Sequence, residues 1–234
     1  MSSFAAKQTL PLAGIIAGTL VDTALGANYL KNLGWDVNEF AISQTPQEQN
    51  NLQLHFANVL QDVCLNKMID MQCVGVECIV IYCSSLSSVL NIQALQEKID
   101  IPIYTPFNYY KQIAPKYSQF AAIAANAIGL KGLEATITDN NKSAKVIGLH
   151  NINIVRQIEL NNNPKQIITN NGLPHFITLV EELNCECIVL ACTHFSCIKL
   201  ALQSCTTLPI FDINSGLLPL LQTVNNQPIT QKEI

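Results

Sequence analysis

One phrase occurs twice in this chain. Glu77-Cys78-Ile79-Val80-Ile81-Tyr82-Cys83-Ser84-Ser85-Leu86-Ser87 returns as Glu186-Cys187-Ile188-Val189-Leu190-Ala191-Cys192-Thr193-His194-Phe195-Ser196, with six of eleven positions identical. Each copy is an apolar run that ends on a cysteine, then hydroxyl or imidazole side chains, then a helix-like segment. That pattern reads as a buried parallel strand delivering a thiol to its C-terminal edge. Open α/β sheets bind ligands at that edge. Two thiols delivered by two related halves point to one site between the halves, with a cysteine on each side of a small substrate. The echo continues beyond the thiols, where Ile101-Pro102-Ile103-Tyr104 is answered by Leu208-Pro209-Ile210-Phe211.

The rest of the chain alternates strands and helices, which predicts mostly parallel sheets with right-handed crossovers. In the first half, strands are expected at Leu10 to Ala17, Asp36 to Ser43, Val76 to Cys83 and Ile101 to Tyr104. A tight Gly18-Thr19 turn leads to a helix from about Val21. Thr45-Pro46-Gln47-Glu48 combines a capping threonine, a proline suited to the first helical position and a glutamate that completes a capping box. A single long helix to Met71 is expected from there, with Leu52, Phe56, Val59, Leu60, Val63 and Met68 at helical spacing. Another helix is expected from Ser87 to Lys98.

In the second half, strands are expected at Gln119 to Ala125, Ala144 to Leu149, Cys187 to Cys192 and Leu208 to Phe211. Helices are expected at Gly129 to Thr138, Leu173 to Leu183 and after Cys192. The polar Asn161 to Asn171 stretch reads as loop. No long linker separates the halves. The expectation is two compact, pseudo-symmetric α/β lobes, one from residues 1–105 plus 213–234 and carrying Cys83, the other from 106–212 and carrying Cys192.

Bulk properties exclude several classes. A chain of 234 residues that is 49% hydrophobic and 13% charged can bury a substantial core and is not disordered. A net charge of -4 with a single arginine, Arg156, argues against nucleic acid or acidic membranes as partners. Nine cysteines, several inside apolar runs, suit a reducing, cytoplasmic compartment better than a disulfide framework. Lys7 followed by Leu10 to Val21 and Ala24-Leu25-Gly26-Ala27 loosely mimics a secretory signal. Pro11, Gly14, Gly18 and Asp22 interrupt it, and a first strand and helix read better.

A cysteine between a buried strand and a helix start is expected to have a lowered pKa, because the helix N-terminus offers free N–H groups and a positive dipole end. Ser84, Ser85 and Thr193 follow the two cysteines and could hold a carboxylate beside them. His194, two residues past Cys192, is placed to orient or assist that thiol. Cys64, Cys73, Cys78, Cys187 and Cys205 read as small core hydrophobes. A zinc reading of Cys185, Cys187, Cys192 and Cys197 fails because Cys187 belongs to the buried run and Cys192 to the strand end. His55, His150 and His175 lack comparable context.

These residues carry a resemblance. Val189-Leu190-Ala191-Cys192-Thr193-His194-Phe195 resembles the second cysteine motif of glutamate racemases, and Ile81-Tyr82-Cys83-Ser84-Ser85-Leu86-Ser87 resembles their first. Gly14-Ile15-Ile16-Ala17-Gly18-Thr19 is similar to the first-strand turn of the aspartate racemase branch. Ile123-Ala124-Ala125-Asn126 and Leu208-Pro209-Ile210-Phe211-Asp212 resemble further family strands. The family is the cofactor-independent aspartate/glutamate racemase superfamily. The resemblance implies a two-lobed fold with the site at the lobe interface, no cofactor, and a small amino or dicarboxylic acid as substrate. It implies inversion by Cys83 and Cys192, with Gly18, Thr19, Ser84, Ser85, Asn126, Thr193 and His194 around the substrate. Arg156, with Lys165 as its rival, stands in the lobe where aspartate racemase relatives have a basic substrate contact. A homodimer is compatible with the family.

Departures accompany the matches. Ala17-Gly18 stands where glutamate racemases carry an Asp-Ser pair, so the carboxylate assigned to help the first cysteine is absent from that position. Ser84-Ser85 replaces Asn-Thr, Asn126 stands where threonine is common, and Gly129 replaces a second threonine. Rival readings within the superfamily are a hydantoin racemase, a maleate isomerase or an arylmalonate decarboxylase, the last disfavoured because both cysteines are present. A ligand-binding protein that keeps the fold without turnover is the rival from another class.

Overall fold

The computed structural model describes residues 10–225; Lys7 and the chain ends 1–9 and 226–234, which the sequence assigns to the first lobe, lie outside them. Two four-stranded parallel sheets repeat one topology. The first contains β1 (Leu12–Ala17), β2 (Asp36–Ala41), β3 (Cys78–Tyr82) and β4 (Ile103–Tyr104) in the order β2-β1-β3-β4. The second contains β5 (Gln119–Ala124), β6 (Lys145–His150), β7 (Cys187–Ala191) and β8 (Ile210–Phe211) in the order β6-β5-β7-β8. Helices α1 (Leu20–Asn32), α2 (Pro46–His55), α3 (Ala57–Cys73), α4 (Ser84–Val89) and α5 (Ile92–Gln96) accompany the first sheet. The second sheet has α6 (Pro106–Ile113), α7 (Ala127–Asn140), α8 (Ile152–Glu159), α9 (Pro164–Asn170), α10 (Leu173–Glu182) and α11 (Lys199–Gln203). Short 3-10 segments occupy Ala114–Lys116 and Thr193–Ile198, and α12 (Ile213–Asn225) follows β8.

The repeated phrase forms the two central thiol-bearing strands, and both are fully buried because helices cover both faces of each sheet. Side chains alternate between the faces. Ile79, Ile81 and Cys83 pack with α3 residues Leu60, Cys64, Met68 and Met71, while Cys78, Val80 and Tyr82 pack with Leu30 and Trp35. The second copy divides in the same way, Ile188, Leu190 and Cys192 on one face and Cys187, Val189 and Ala191 on the other. The period of two therefore decides which cysteines are structural, since Cys78 and Cys187 point away from the thiols that follow the strands.

Several elements differ from the sequence expectation. The long helix after Thr45 is broken at Phe56, whose φ of -132° and ψ of 33° are not helical. The break frees α2 to lie over the thiol end of the sheet while α3 packs against its face, and Phe56, Val59 and Val63 are left exposed rather than joining the core. The helix expected from Ser87 to Lys98 starts at Ser84, directly after the thiol, and is interrupted at Leu90. There the Asn91 side chain accepts from Ala94 N at 3.0 Å and starts α5 instead. In the Asn-rich stretch read as loop, Asn163 caps α9 by accepting from Lys165 N, with Pro164 at the first position. Cys73 and Cys205 are exposed, not core; the first sits at the last residue of α3 and the second just beyond α11.

The lobes meet closely. Gly132 on α7 has no side chain where Ser88 Oγ of α4 approaches, 2.1 Å from the place a Cβ would take. After β8 the chain returns, and Ile213, Leu217 and Leu221 of α12 join the core on the β1 and β3 side of the first sheet. Tyr29 and Tyr82 hydroxyls fix that return by donating to the backbone oxygen and side-chain Oδ1 of Asn214, at 2.6 and 2.7 Å. Gly26 lets α1 lie against the same sheet, because a Cβ there would fall 2.3 Å from Ile15 Cδ1 and 2.8 Å from the Tyr82 ring. Gly26→Ala should therefore destabilise the fold by about 1–3 kcal/mol despite its better helix propensity. Urea unfolding checks this; an unchanged midpoint would show that Ile15 and Tyr82 yield freely.

Candidate active site at the lobe interface

Cys83 and Cys192 each follow the last residue of a central strand in extended conformation, at φ -164° and -150°. Each is the cap residue of the next helical segment, where its carbonyl accepts from Ser87 N and from Phe195 N. The two thiols line one cavity, and Asp22, Gln49, Asn126 and His194 share it. Apolar wall comes from Pro46, Ala125, Ile152 and Val155. The free space is about 20 Å³, room for about one water molecule. A larger space of about 300 Å³ adjoins it beside Asn126 and Ile152 and is bounded by Gln47, Asn50, Leu54 and His150.

The charged groups of the site are concentrated on the Cys192 side. His194 is buried, with Nδ1 3.9 Å from Cys192 Sγ and 3.4 Å from Asp22 Oδ1, and with Nε2 3.0 Å from Glu159 Oε1. Burial alone would lower its pKa, but Asp22, the Cys192 contact and Glu159 outweigh that and hold it well above 6.5. The acidic neighbours thus favour the protonated imidazole. Asp22 is also buried and is raised by desolvation, partly offset by His194, by Thr193 Oγ1 donating at 2.6 Å and by Gly18 N donating at 3.3 Å. Glu159 lies below the usual carboxylate range: burial opposes ionisation, and hydrogen bonds from His194 and from Thr19 Oγ1 at 2.7 Å overcome it.

Cys83 corrects the expectation of an acidified thiol. Desolvation, with Asp22 nearby, pushes it up to about 12, and a hydrogen bond with Ser85 and the backbone N–H of Leu86 recover only part. The one-ended advantage of a short helix start is smaller here than the cost of burying the anion. Its sulfur accepts from Gln49 Nε2 at 3.1 Å, and the same amide reaches Ser85 Oγ at 3.4 Å.

Of the residues singled out in the sequence, Cys83, Cys192, Ser84, Ser85, Asn126, Thr193 and His194 line the cavity. Ser84 Oγ pairs with Tyr110 OH at 3.3 Å, and Asn126 spends its Oδ1 on Gly129 N and its Nδ2 on Asn50 of α2. Gly18 and Thr19 stand behind the lining and hold Asp22 and Glu159 in place. Arg156 is exposed, its Nη2 donating to Gln47 Oε1 of α2 at 2.8 Å, and neither it nor the exposed Lys165 lines the cavity. Sequence reasoning missed Asp22, Glu159 and Gln49. Asp22 lies three residues after the capping Thr19, a spacing that marks a helix start and could have been read as a carboxylate placed at the sheet edge. Glu159 and Gln49 had no local signal.

The histidine makes stability depend on pH in a set direction. A raised folded-state pKa means that the contribution of His194 is complete below about 6.5 and is lost as pH climbs through the higher folded value. Denaturant unfolding between pH 6 and 10 should therefore show stability falling on the alkaline side, and His194→Gln should flatten that limb. An identical slope in the variant would remove the histidine from the account.

Comparison with known proteins bears on the fold. No protein-family model matches the chain, and no curated protein matches it by sequence. Solved structures do match in shape. Glutamate racemase from Francisella tularensis in complex with D-glutamate is similar at a TM-score of 0.66 and 16% identity, over 95% of this chain and 84% of that one. Allantoin racemase from Klebsiella pneumoniae gives 0.64 and 14%, over 94% and 90%. An aspartate racemase homologue from Pyrococcus horikoshii gives 0.59 and 15%, over 92% and 99%.

Proposed function

The two-lobed α/β fold is that of the aspartate/glutamate racemase superfamily, and from that premise we propose that the protein is a cofactor-independent racemase. Its substrate is a small α-amino acid such as aspartate, glutamate or a related compound. The observation that carries this reading is that equivalent strands of two repeated sheets end on thiols lining one cavity. One thiolate takes the α-proton from one face of the substrate, the electron pair is held as the enolate of the carboxylate, and the opposing thiol returns a proton to the other face. Cys83, protonated in the closed cleft, is a ready donor; when the reaction runs the other way it must first lose that proton. His194 is close enough to Cys192 to orient its sulfur and exchange a proton with it. The hydroxyls of Ser84 and Ser85 and the backbone N–H groups of Ser84, Ser85 and Thr193 suit the α-carboxylate. The all-thiol cysteines suit a reducing, cytoplasmic setting.

One observation favours a second substrate class. No lysine or arginine lines the cavity, and its imidazolium is engaged by two acidic side chains. A second substrate carboxylate would thus have only neutral donors, so a monocarboxylic amino acid or a neutral cyclic ureide of the hydantoin type would be less costly to bury. The test is incubation with single enantiomers of acidic and neutral amino acids and of hydantoins in deuterated water, without added cofactor. Inversion with deuterium uptake at the α-carbon of at least one supports the reading; no exchange with any would favour a binding protein.

A further inference from the structure

The underside of α2 is largely polar, and one apolar residue, the half-buried Leu52, packs against the core of the first sheet. The buried residues of the helix are Pro46, Gln49 and Gln53, and only Gln49 has found partners for its amide, in Cys83 and Ser85. Both amide atoms of Gln53, one turn further along, are buried without a hydrogen bond. Leaving such an amide unpaired costs about 1–3 kcal/mol, which a helix packed only for stability would avoid. The outer contacts of α2 with the second lobe are equally light. They are Asn50 Oδ1 accepting from Asn126 and Gln47 Oε1 accepting from Arg156. The helix ends at the non-helical Phe56, so it can move as a unit.

Gly18 explains how Gln49 reaches the sulfur. A Cβ at Gly18 would fall 2.3 to 2.4 Å from the Nε2, Cδ and Oε1 atoms of Gln49. The amide therefore occupies the space that any other residue at the end of β1 would fill. Gly18 is not held by backbone conformation, since its φ is not positive. Its missing side chain is a socket.

From this socket and contact we infer that Gln49 is a positioning residue for the proposed two-thiol reaction, its N–H donating to the sulfur of Cys83 and supporting the thiolate whenever α2 is closed. Cys83 otherwise faces the carboxylate of Asp22, the hydroxyl of Ser85, the backbone N–H of Leu86 and the second thiol, and none of these supplies a cation. A hydrogen bond to an ionised acceptor is roughly twice as strong as one to a neutral acceptor, so the amide favours the charged form. Because Gln49 rides on α2, the donor arrives with closure over substrate and leaves with opening. Cys192 has no equivalent amide and relies on His194, so the two thiols are supported by different means.

The inference rests on the racemase reading, and two arms separate the failures. In the first arm, α-proton exchange is followed in deuterated water in single-thiol backgrounds. Gln49→Ala should slow exchange about tenfold in Cys192→Ala, where Cys83 acts alone. In Cys83→Ala the same change touches only the lining and Ser85, so the loss should be at least threefold smaller than in Cys192→Ala. Equal losses in both backgrounds would mean a general effect on the cleft and would overturn the proposal. The second arm needs no substrate: alkylation of Cys83 by iodoacetamide is timed by peptide mass spectrometry at pH 8, with Cys192 as the internal control. Gln49→Ala removes cover from the sulfur and on steric grounds can only speed the reaction, so a rate lowered at least threefold at Cys83 alone is diagnostic. Gly18→Ala, which keeps the glutamine but evicts its amide, should do the same. An unchanged or faster rate at Cys83 in both variants overturns the inference even if racemase activity is found, while absent exchange in the intact protein with slowed alkylation counts against the racemase reading alone.

Discussion

Replacing either Cys83 or Cys192 with alanine should lower the rate of inversion by about 10²–10⁴-fold, while exchange of the α-proton survives for one enantiomer and disappears for the other. The asymmetry follows from geometry. Each thiol stands at the end of its own sheet and approaches the shared cavity from its own lobe. Removing one leaves the opposite face of the substrate still within reach of a base. The enantiomer that keeps exchanging should switch between the two variants. Proton NMR in deuterated water, started from each pure enantiomer, measures inversion and exchange together. If both variants continue to invert, or if both lose exchange from the same enantiomer, the two-face assignment is wrong. Cys78→Ala and Cys187→Ala are the matched controls, since those thiols point into the core on the other faces of the same strands. They should cost stability and leave turnover intact.

The second large effect is expected at Asp22. Asp22→Asn keeps the shape of the side chain but removes the charge that sits 3.4 Å from the imidazole and accepts from Thr193 Oγ1 at 2.6 Å. Its partners on the Cys192 side would then depend on Glu159 alone. Inversion should fall by about 10²–10³-fold, and the midpoint of His194, followed by its ring proton resonances, should move down toward 6.5. The fold should tolerate the change at some cost in stability: Gly18 and Thr193 donate to different oxygens of Asp22, and an asparagine keeps one acceptor for Gly18 N while its amide can donate to a turned Thr193 hydroxyl. A variant with wild-type turnover but a lowered histidine midpoint would show that the charge of His194 is structural only. An unmoved midpoint would mean that Glu159 alone suffices to hold the proton.

How much of this was legible in the chain depends on the range of the interaction. The repeated phrase placed both central strands and both thiols, because a buried strand writes its burial into consecutive residues. The alternation of elements marked both sheets as parallel, while their pairing order, with β1 and β5 placed between the later strands, has no sign in the local pattern. Helix interruptions were less visible: the break at Phe56 and the one at Leu90 come from where the helices must pack, not from proline or glycine. Residues recruited from a distant segment were not visible at all. Glu159 reaches His194 from another helix of its own lobe and Thr19 across the lobe boundary, and Gln49 reaches Cys83 from a helix that looks ordinary in sequence. Asp22 is visible in the sequence, but its local context marks only the end of an apolar run. The acidic residue missing after β1 therefore does not leave the site without a carboxylate, because one arrives a turn later on α1.

The two places where the chain passes between sheets have a mechanical meaning. One lies after β4, where Thr105 caps α6, and the other after β8, at Asp212. The helices that follow them touch, with Gly216 of α12 giving way to the Tyr109 ring of α6. Two covalent straps held side by side behave like the leaves of a door hinge: rotation about the line joining them costs little, while sliding one lobe along the other would stretch both. The cleft can gape at the edge far from the straps to admit a molecule larger than one water, and it closes again along the same arc. A single angle then describes the approach of the two sulfurs, so whatever is bound meets both of them together.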